Sequence, residues 1–297
     1  EMRLWPHESS PIYEAFDRIF DCRGHGWANL QSTHINLPFA GDEEFGRLHA
    51  AIRLLLPILP AIAASSPIVE GRLTGLLDNR LEMYRTNARR IASVTGRIVP
   101  EPVYTPDEYR RTILEPMYAD IAPWDPGGVL RHEFLNARGA VPRFERGAIE
   151  IRVLDVQECP AADLAIVQAI VAVLRALVDE RWLPYAAQCA VDTDMLVEIL
   201  TATTRDADRA EIRSRQYLVH FGLPSAKTMS AGDVWRHLAQ ELGLGNDELA
   251  VILDHGPLAR RIACAAGDEP PPSRLRQLYA QLCDSLAAGE MFVPPRP

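Results

Sequence analysis

The segment Gly147-Ala-Ile-Glu-Ile-Arg-Val-Leu-Asp155 has the period of a β-strand. Alternation puts Ile149, Ile151 and Val153 on one face and Glu150, Arg152 and Leu154 on the other. A carboxylate and a guanidinium then point the same way, on a strand whose β-branched residues indicate burial. Buried charge is costly unless it is paired or bound to a metal. Two readings fit. One is an exposed face with a weak ion pair. The other is a wall that handles a metal nucleotide, with Glu150 on a hard cation and Arg152 on phosphate oxygens.

Composition narrows the class. The 297 residues carry a net charge of −9, which argues against a nucleic-acid surface and its basic stripe. Lys227 is the single lysine, so nearly all positive charge is arginine, the better bidentate partner for carboxylate and phosphate. Cys22, Cys159, Cys189, Cys264 and Cys283 are scattered and form no Cys-x-x-Cys pair. That pattern fits reduced thiols in a cytoplasm, not a disulfide framework or zinc site. The longest apolar run, Leu164 to Val178, is interrupted by Gln168 and Arg175. It reads as a core helix, and no membrane partner is expected. The sequence opens at Glu1-Met2 within a polar segment and reads as an internal start.

The expected fold class is α+β up to about residue 158 and nearly all helical afterwards. Tyr13 to Cys22 has helical spacing, and Trp27 to Phe39 looks extended. Asp42 is expected to cap a helix that Pro57 and Pro60 bend or end. Asn79 to Ile91 is arginine-dense without a clean period. Thr105-Pro-Asp-Glu108 reads as a helix start. Leu135 to Arg146 is expected to pair with the Glu-Ile-Arg strand through a turn at Arg146-Gly147. The helical remainder either packs on the sheet or mediates self-association.

Three further groups could carry chemistry. His34 and Asn36 share a strand face with Ser32, suited to a metal or a nucleotide phosphate; a satisfied core histidine is the plainer reading. Arg72, Arg80 and Arg85, with Tyr84, follow Ser65-Ser-Pro67 and could anchor a carboxylate or a phosphoryl group, whereas Arg89 and Arg90 read as a solvated face. Arg138 and Arg143 would lie near the same site if their segment is the hairpin partner. Neither a Walker lysine loop, a Gly-x-Gly-x-x-Gly, a Gly-x-Ser-x-Gly elbow nor a His-Glu-x-x-His helix occurs.

Five segments in this order resemble glutamate–cysteine ligase family 2, carboxylate–amine ligases of the glutamine synthetase-like superfamily. They are Trp27-Ala-Asn-Leu-Gln31 with Thr33-His-Ile-Asn-Leu37; Ala64-Ser-Ser-Pro-Ile-Val-Glu-Gly71; Asp78-Asn-Arg80 with Tyr84-Arg85; Asn136-Ala-Arg-Gly139; and Ile149-Glu-Ile-Arg-Val-Leu-Asp155. The likeness runs from about residue 5 to 180. It implies a glutamine synthetase-like antiparallel catalytic sheet over residues 1–180, N-terminally incomplete, with a helical region over 181–297.

The resemblance further implies ATP and magnesium as cofactors. The side-chain carboxylate of glutamate would be phosphorylated, and cysteine or another amine would attack the acyl phosphate. Glu150 and His34 would be metal ligands, and Arg152 would stabilise the transferring phosphoryl group. Asn36, Arg72, Arg80, Tyr84, Arg85 and Arg138 would hold substrate or phosphate. The family opens with a Gly-x-Glu-x-Glu strand that has no counterpart before Trp5, so these 297 residues alone are expected to be weakly active or inactive. Two other readings are a non-catalytic binding relative of the same fold and a metal-dependent amide hydrolase that needs no ATP.

Overall fold

A computed structural model describes residues 10–24 and 30–294. Helix α1 (Ser10–Phe20) precedes strand β1 (Ser32–Pro38), helix α2 (Gly41–Leu55), a short hairpin of β2 (Ile68–Val69) and β3 (Arg72–Leu73), and helix α3 (Asn79–Asn87). Strands β4 (Ala140–Arg143) and β5 (Ala148–Asp155) follow. Then come α4 (Pro160–Val178), α5 (Thr193–Asp206), α6 (Ala231–Leu242), α7 (Asp247–His255), α8 (Leu258–Ala266) and α9 (Pro272–Ala288). The fold is α+β, as the sequence suggested. Its main sheet is antiparallel, with β5 in the centre between β1 and β4.

Local chemistry accounts for most element ends. Thr105 accepts from the Glu108 amide at the start of Pro106–Tyr109, as its sequence implies. Asp78 caps α3 by accepting from the Leu81 amide at 2.8 Å. Helix α2 begins at Gly41, and Asp42 lies in its first turn, not at the cap. Gly147 turns left-handed (φ +57°) between β4 and β5, and β4 is shorter than the sequence suggested because Phe144–Arg146 coils into a 3-10 turn. The Trp27–Asn29 part of the first motif lies outside the described residues.

Pro57 and Pro60 break α2 into a 3-10 turn and a last short helix over Pro60–Ala63. Proline removes a donor, so carbonyl oxygens in this buried stretch need other partners. The helical region supplies three. The Tyr217 hydroxyl donates to Leu54 O at 2.7 Å, Thr203 Oγ1 to Pro57 O at 2.6 Å and Trp235 Nε1 to Ile58 O at 2.8 Å. One apolar core runs from Ala15 to Ile252 and takes in Ile149, Ile151 and Val153 of β5. The regions before and after residue 180 thus share an interior. In α4 the residues Ala162, Ala165, Ile166, Ala169, Ile170, Val173, Leu174 and Leu177 are buried at helical spacing. Among the described residues this is the one helix long and apolar enough to cross a membrane, and it is a core helix here.

His49 of α2 lies wholly inside this core, stacked on Phe45 at 5.4 Å and edge-on to Tyr109 at 5.7 Å. Burial, aided by the Arg53 charge, pushes its pKa down to about 3. The unfolded chain binds that proton first, at about pH 6.5. Stability from this residue is therefore complete above pH 6.5 and is lost as pH falls toward 3, at about 1.4 kcal/mol per pH unit. His49→Phe is expected to flatten the fall in urea-unfolding free energy between pH 6.5 and 4 by roughly that slope; an unchanged slope would refute the assignment.

Candidate functional site

The site is built on the polar face of β5. Asn36 of β1 stands opposite Glu150, and Ile35 stands opposite Ile151. The register then shifts: Thr33 faces Leu154 and Ser32 faces Asp155. Two β5 residues, Arg152 and Val153, therefore oppose His34 alone, which is a β-bulge. The bulge corrects the strict alternation expected from sequence. Leu154 turns inward with Val153, and both are buried in the core. Asp155, opposite Ser32, comes round to the face that carries His34 and Glu150.

Glu150 is the centre of a charge cluster. Its Oε1 lies 2.6 Å from Arg152 Nε and 3.1 Å from His34 Nδ1. Its Oε2 accepts from Arg143 Nε at 3.1 Å. Arg143 comes from β4, diagonally across the strand pair. Ser32 Oγ meets His34 Nε2 at 2.7 Å, so both imidazole nitrogens are engaged. The hydrogen bond from His34, against the opposing effect of burial, and then the Arg152 and Arg143 charges hold the Glu150 carboxyl well below the usual range. Glu150 is buried, while the His34 side chain is 38% exposed. Two guanidiniums around one carboxylate leave a positive, partly open patch suited to anionic oxygens.

A second cluster sits at the end of β5. Asp155 is buried and paired with Arg80 Nε of α3. The Ser65 amide and the Ser66 hydroxyl donate to its Oδ2, both at 2.8 Å. Ser66 Oγ in turn accepts from the Arg80 amide at 3.0 Å. Asp78, fully buried nearby, has its carboxyl pushed up by burial first and then by the charge of Asp155. Arg80 links the clusters, because its Nη1 donates to the Arg152 carbonyl oxygen at 3.3 Å. Tyr84, one turn along α3, accepts from the Arg152 guanidinium and reaches Arg138 O at 3.5 Å. A cavity of about 480 Å³ opens beside Ser65, Ser66, Arg80 and Asp155.

Of the residues singled out in the sequence, His34, Asn36, Arg80, Tyr84, Glu150 and Arg152 come together here. Arg72, Arg85 and Arg138 do not. Arg72 is exposed on the β2–β3 hairpin. Arg85 is exposed and turns to Glu82 of its own helix, at 2.6 and 2.9 Å. Arg138 is buried and bidentate to Glu101, with both contacts at 2.6 Å; its guanidinium braces the loops behind the sheet. The Asn136-Ala-Arg-Gly139 motif is structural for the same reason. Asn136 Nδ2 donates to Tyr109 at 2.6 Å. A Cβ on Gly139 would meet Val153, Ile98 and Leu56 at 2.7–2.9 Å. Asp155 and Asp78 were not picked out from sequence. Asp155 is hidden by the bulge, and Asp78 looks like an ordinary helix cap.

The donor set can be tested against a divalent ion. Glu150 and His34 are together, yet among the described residues no group of three or more His, Cys, Asp or Glu side chains could hold a metal. Both Glu150 oxygens already accept from arginine, and one guanidinium would have to let go. As described, these residues do not fit a resident metal ion.

The buried Asp155–Arg80 pair makes a stability prediction. Removing one partner of such a pair strands the other charge and costs about 3–5 kcal/mol. Asp155→Ala is expected to show that loss in urea denaturation, and Asp155→Asn, which keeps acceptor and shape, a smaller one. A loss below about 1 kcal/mol for Asp155→Ala, the size of an exposed pair, would contradict it.

The chain is 38% identical over 205 residues to an uncharacterized protein of Archaeoglobus fulgidus, a match that covers 69% of this chain and 53% of the relative. It thus spans about half the length of that relative. The model of glutamate-cysteine ligase family 2 matches residues 1–250, taking in both clusters on β5, and the chain belongs to that family.

Proposed function

We propose that the chain carries the phosphoryl-handling sheet of an ATP-dependent carboxylate–amine ligase that releases ADP and phosphate. The observation that supports this most is the Glu150 cluster. One buried carboxylate holds Arg143, Arg152 and His34 on a single open sheet face. Phosphoryl transfer needs little covalent help from protein and much stabilisation of charge on the transferring oxygens. Arg143 and Arg152 are assigned that work, and Glu150 keeps them in register.

In the proposed reaction a carboxylate oxygen, that of the glutamate side chain, attacks the γ-phosphorus of magnesium–ATP. The bond to the β-phosphate oxygen breaks, and ADP leaves with its electrons. The amine, cysteine or another, then attacks the acyl carbon. The carbon–oxygen bond to phosphate breaks, and the amine proton passes to the released phosphate or to water. Magnesium enters with the nucleotide as part of that substrate. Arg80, Tyr84 and Asn36 flank the cluster and are assigned to substrate. Arg72, Arg85 and Arg138, which lie elsewhere, are not. A reducing, ATP-supplied cytoplasm suits this chemistry and the free thiols.

A second reading has one observation in its favour. Glu150 is saturated by protein donors, as in a non-catalytic relative that keeps the fold and binds an anion.

ADP release separates the two. With the full-length protein, magnesium–ATP, glutamate and a panel of amines including cysteine, ADP is expected only when acid and amine are both present. ADP release that ignores the amine, or none with any pair, would overturn the ligase reading. Arg152→Gln is expected to weaken magnesium–ATP binding about tenfold, the loss of one charge-assisted contact, and Glu150→Gln to weaken it as well, by releasing Arg143 and Arg152 from their register. Unchanged affinity in Glu150→Gln would return that residue to an ion pair alone.

A further inference from the structure

The cavity at the end of β5 has walls from distant parts of the chain. Leu30 flanks it from before β1 and Val156 from just after β5, Ile68 from the β2–β3 hairpin, Met83 from α3 and Tyr279 from α9. Tyr279 lies beyond residues 1–250, the part that matches the family. Its helix is fastened in place. Leu278 is buried with Leu258, Ile262 and Phe292, and Ile68 and Leu275 pack on that cluster. The hairpin that carries Ile68 turns through Glu70 (φ +49°) and Gly71 (φ +79°), the left-handed pair of a tight two-residue turn. A Cβ on Gly71 would stand 3.8 Å from Leu275. Buried Arg261 adds a lock, joining the Glu158 carboxylate to the Phe292 carbonyl oxygen. Tyr279 itself is 43% exposed and forms part of the rim.

The polar end of the cavity is specific as well. Arg80 is 6% exposed. Its Nε is taken by Asp155 and its Nη1 by Arg152 O. Nη2 is buried with no acceptor, alone among the side-chain polar atoms of the described lining. A buried guanidinium donor without an acceptor is costly, and an oxygen anion is its best partner. Ser65, Ser66 and Asp155 are engaged elsewhere: Ser65 Oγ donates to Val156 O, Ser66 Oγ to Asp155, and Asp155 accepts from the Ser65 amide, Ser66 Oγ and Arg80 Nε.

We propose that this cavity binds an α-amino acid with an apolar side chain, its carboxylate on Arg80 and its side chain against Met83, Ile68 and Tyr279, and that Tyr279 sets which side chains fit. The ligand assignment stands on the cavity. Its role as the amine substrate rests on the ligase reading above. The link to that role is Arg80, which also donates to the Arg152 carbonyl oxygen and so ties the polar end of the cavity to the strand that carries the phosphoryl cluster. An open cavity of about 480 Å³ whose wall away from Arg80 includes Ile68, Met83 and Tyr279 also suits a branched or aromatic side chain better than the small thiol of cysteine, since apolar contact area supplies the affinity.

Calorimetric titration of the 297-residue chain without nucleotide tests the ligand. The probes are leucine, phenylalanine, cysteine and isoamylamine, which is leucine without its carboxylate. Leucine and phenylalanine are expected to saturate, with cysteine and isoamylamine each about tenfold weaker or more. Tyr279→Ala, at a rim position, should weaken phenylalanine about three- to tenfold. Met83→Trp, which fills the cavity, should abolish binding of both apolar amino acids, with far-ultraviolet dichroism unchanged. Isoamylamine equal to leucine, cysteine equal to leucine, no saturation by either apolar amino acid, or indifference to Tyr279→Ala would each overturn the proposal. Leucine binding that persists without any amine-dependent ADP release would refute the ligase reading alone. ADP release with an amine that ignores Tyr279→Ala and Met83→Trp would refute the cavity assignment and leave the ligase intact.

Discussion

A single carboxylate, Asp155, holds the site in shape. It is buried, and three donors from two segments meet on it: the Ser65 amide and Ser66 hydroxyl after the broken helix, and Arg80 at the start of α3. A buried charge of this kind tolerates no half measures, because each missing donor exposes the desolvation cost of the rest. The arrangement therefore fixes where α3 lies against the sheet. Helix α3 in turn brings Tyr84 to Arg152 and lets Arg80 cross to the Arg152 carbonyl oxygen. None of this is reachable with a regular strand. Strict alternation would send Asp155 into the apolar core beside Ile151 and Val153. The bulge opposite His34 turns it to the polar face and buries Leu154 in its stead. One extra residue in β5 thus converts an amphipathic strand into a strand with two polar stations, Glu150 and Asp155.

The helical region is bound to this sheet by an equally local cause. Two prolines leave buried carbonyl oxygens at the end of α2 in want of donors. Tyr217, Thr203 and Trp235 answer from three different helices. Each such bond is of modest net value, but an unmet buried carbonyl is expensive. The same broken helix ends at Ala63, just before the two serines that serve Asp155. Packing of the helical region, the course of the Ser-Ser-Pro loop and the geometry of the site are coupled through a few residues.

Much of this was legible in the sequence, for identifiable reasons. Glu150 and Arg152 share a face because the side-chain period of a strand is 2, and that holds up to the bulge. Thr105 and the proline pair read correctly because caps and missing donors are local effects. What could not be read depended on distant partners. Arg138 looked like a site arginine, but Glu101, 37 residues earlier, claims it with both oxygens. Helix α3 has no apolar stripe to betray it, since Arg80 and Tyr84 are held by polar contacts with β5. Asp78 resembles any helix cap until Asp155 is placed beside it. The bulge itself leaves no mark on Arg152-Val153-Leu154, three residues equally at home in a regular strand.

The two carboxylates on β5 do different work, and their partners say why. Glu150 faces outward, and its oxygens are divided among two arginines and a histidine that remain partly accessible. Its charge aligns the guanidiniums without cancelling them, so the patch keeps a positive excess toward solvent. Asp155 lies on the same polar face but is buried there under the Ser65–Ser66 loop and Arg80, which supply its donors. Its charge is spent on structure, and only Arg80 Nη2, the one donor it cannot reach, is left over. A strand that holds an open positive patch at one end and a single unclaimed buried donor at the other is polarised along its length. On the proposed function, the anion that reacts is assigned to the first and the anion that is only held to the second.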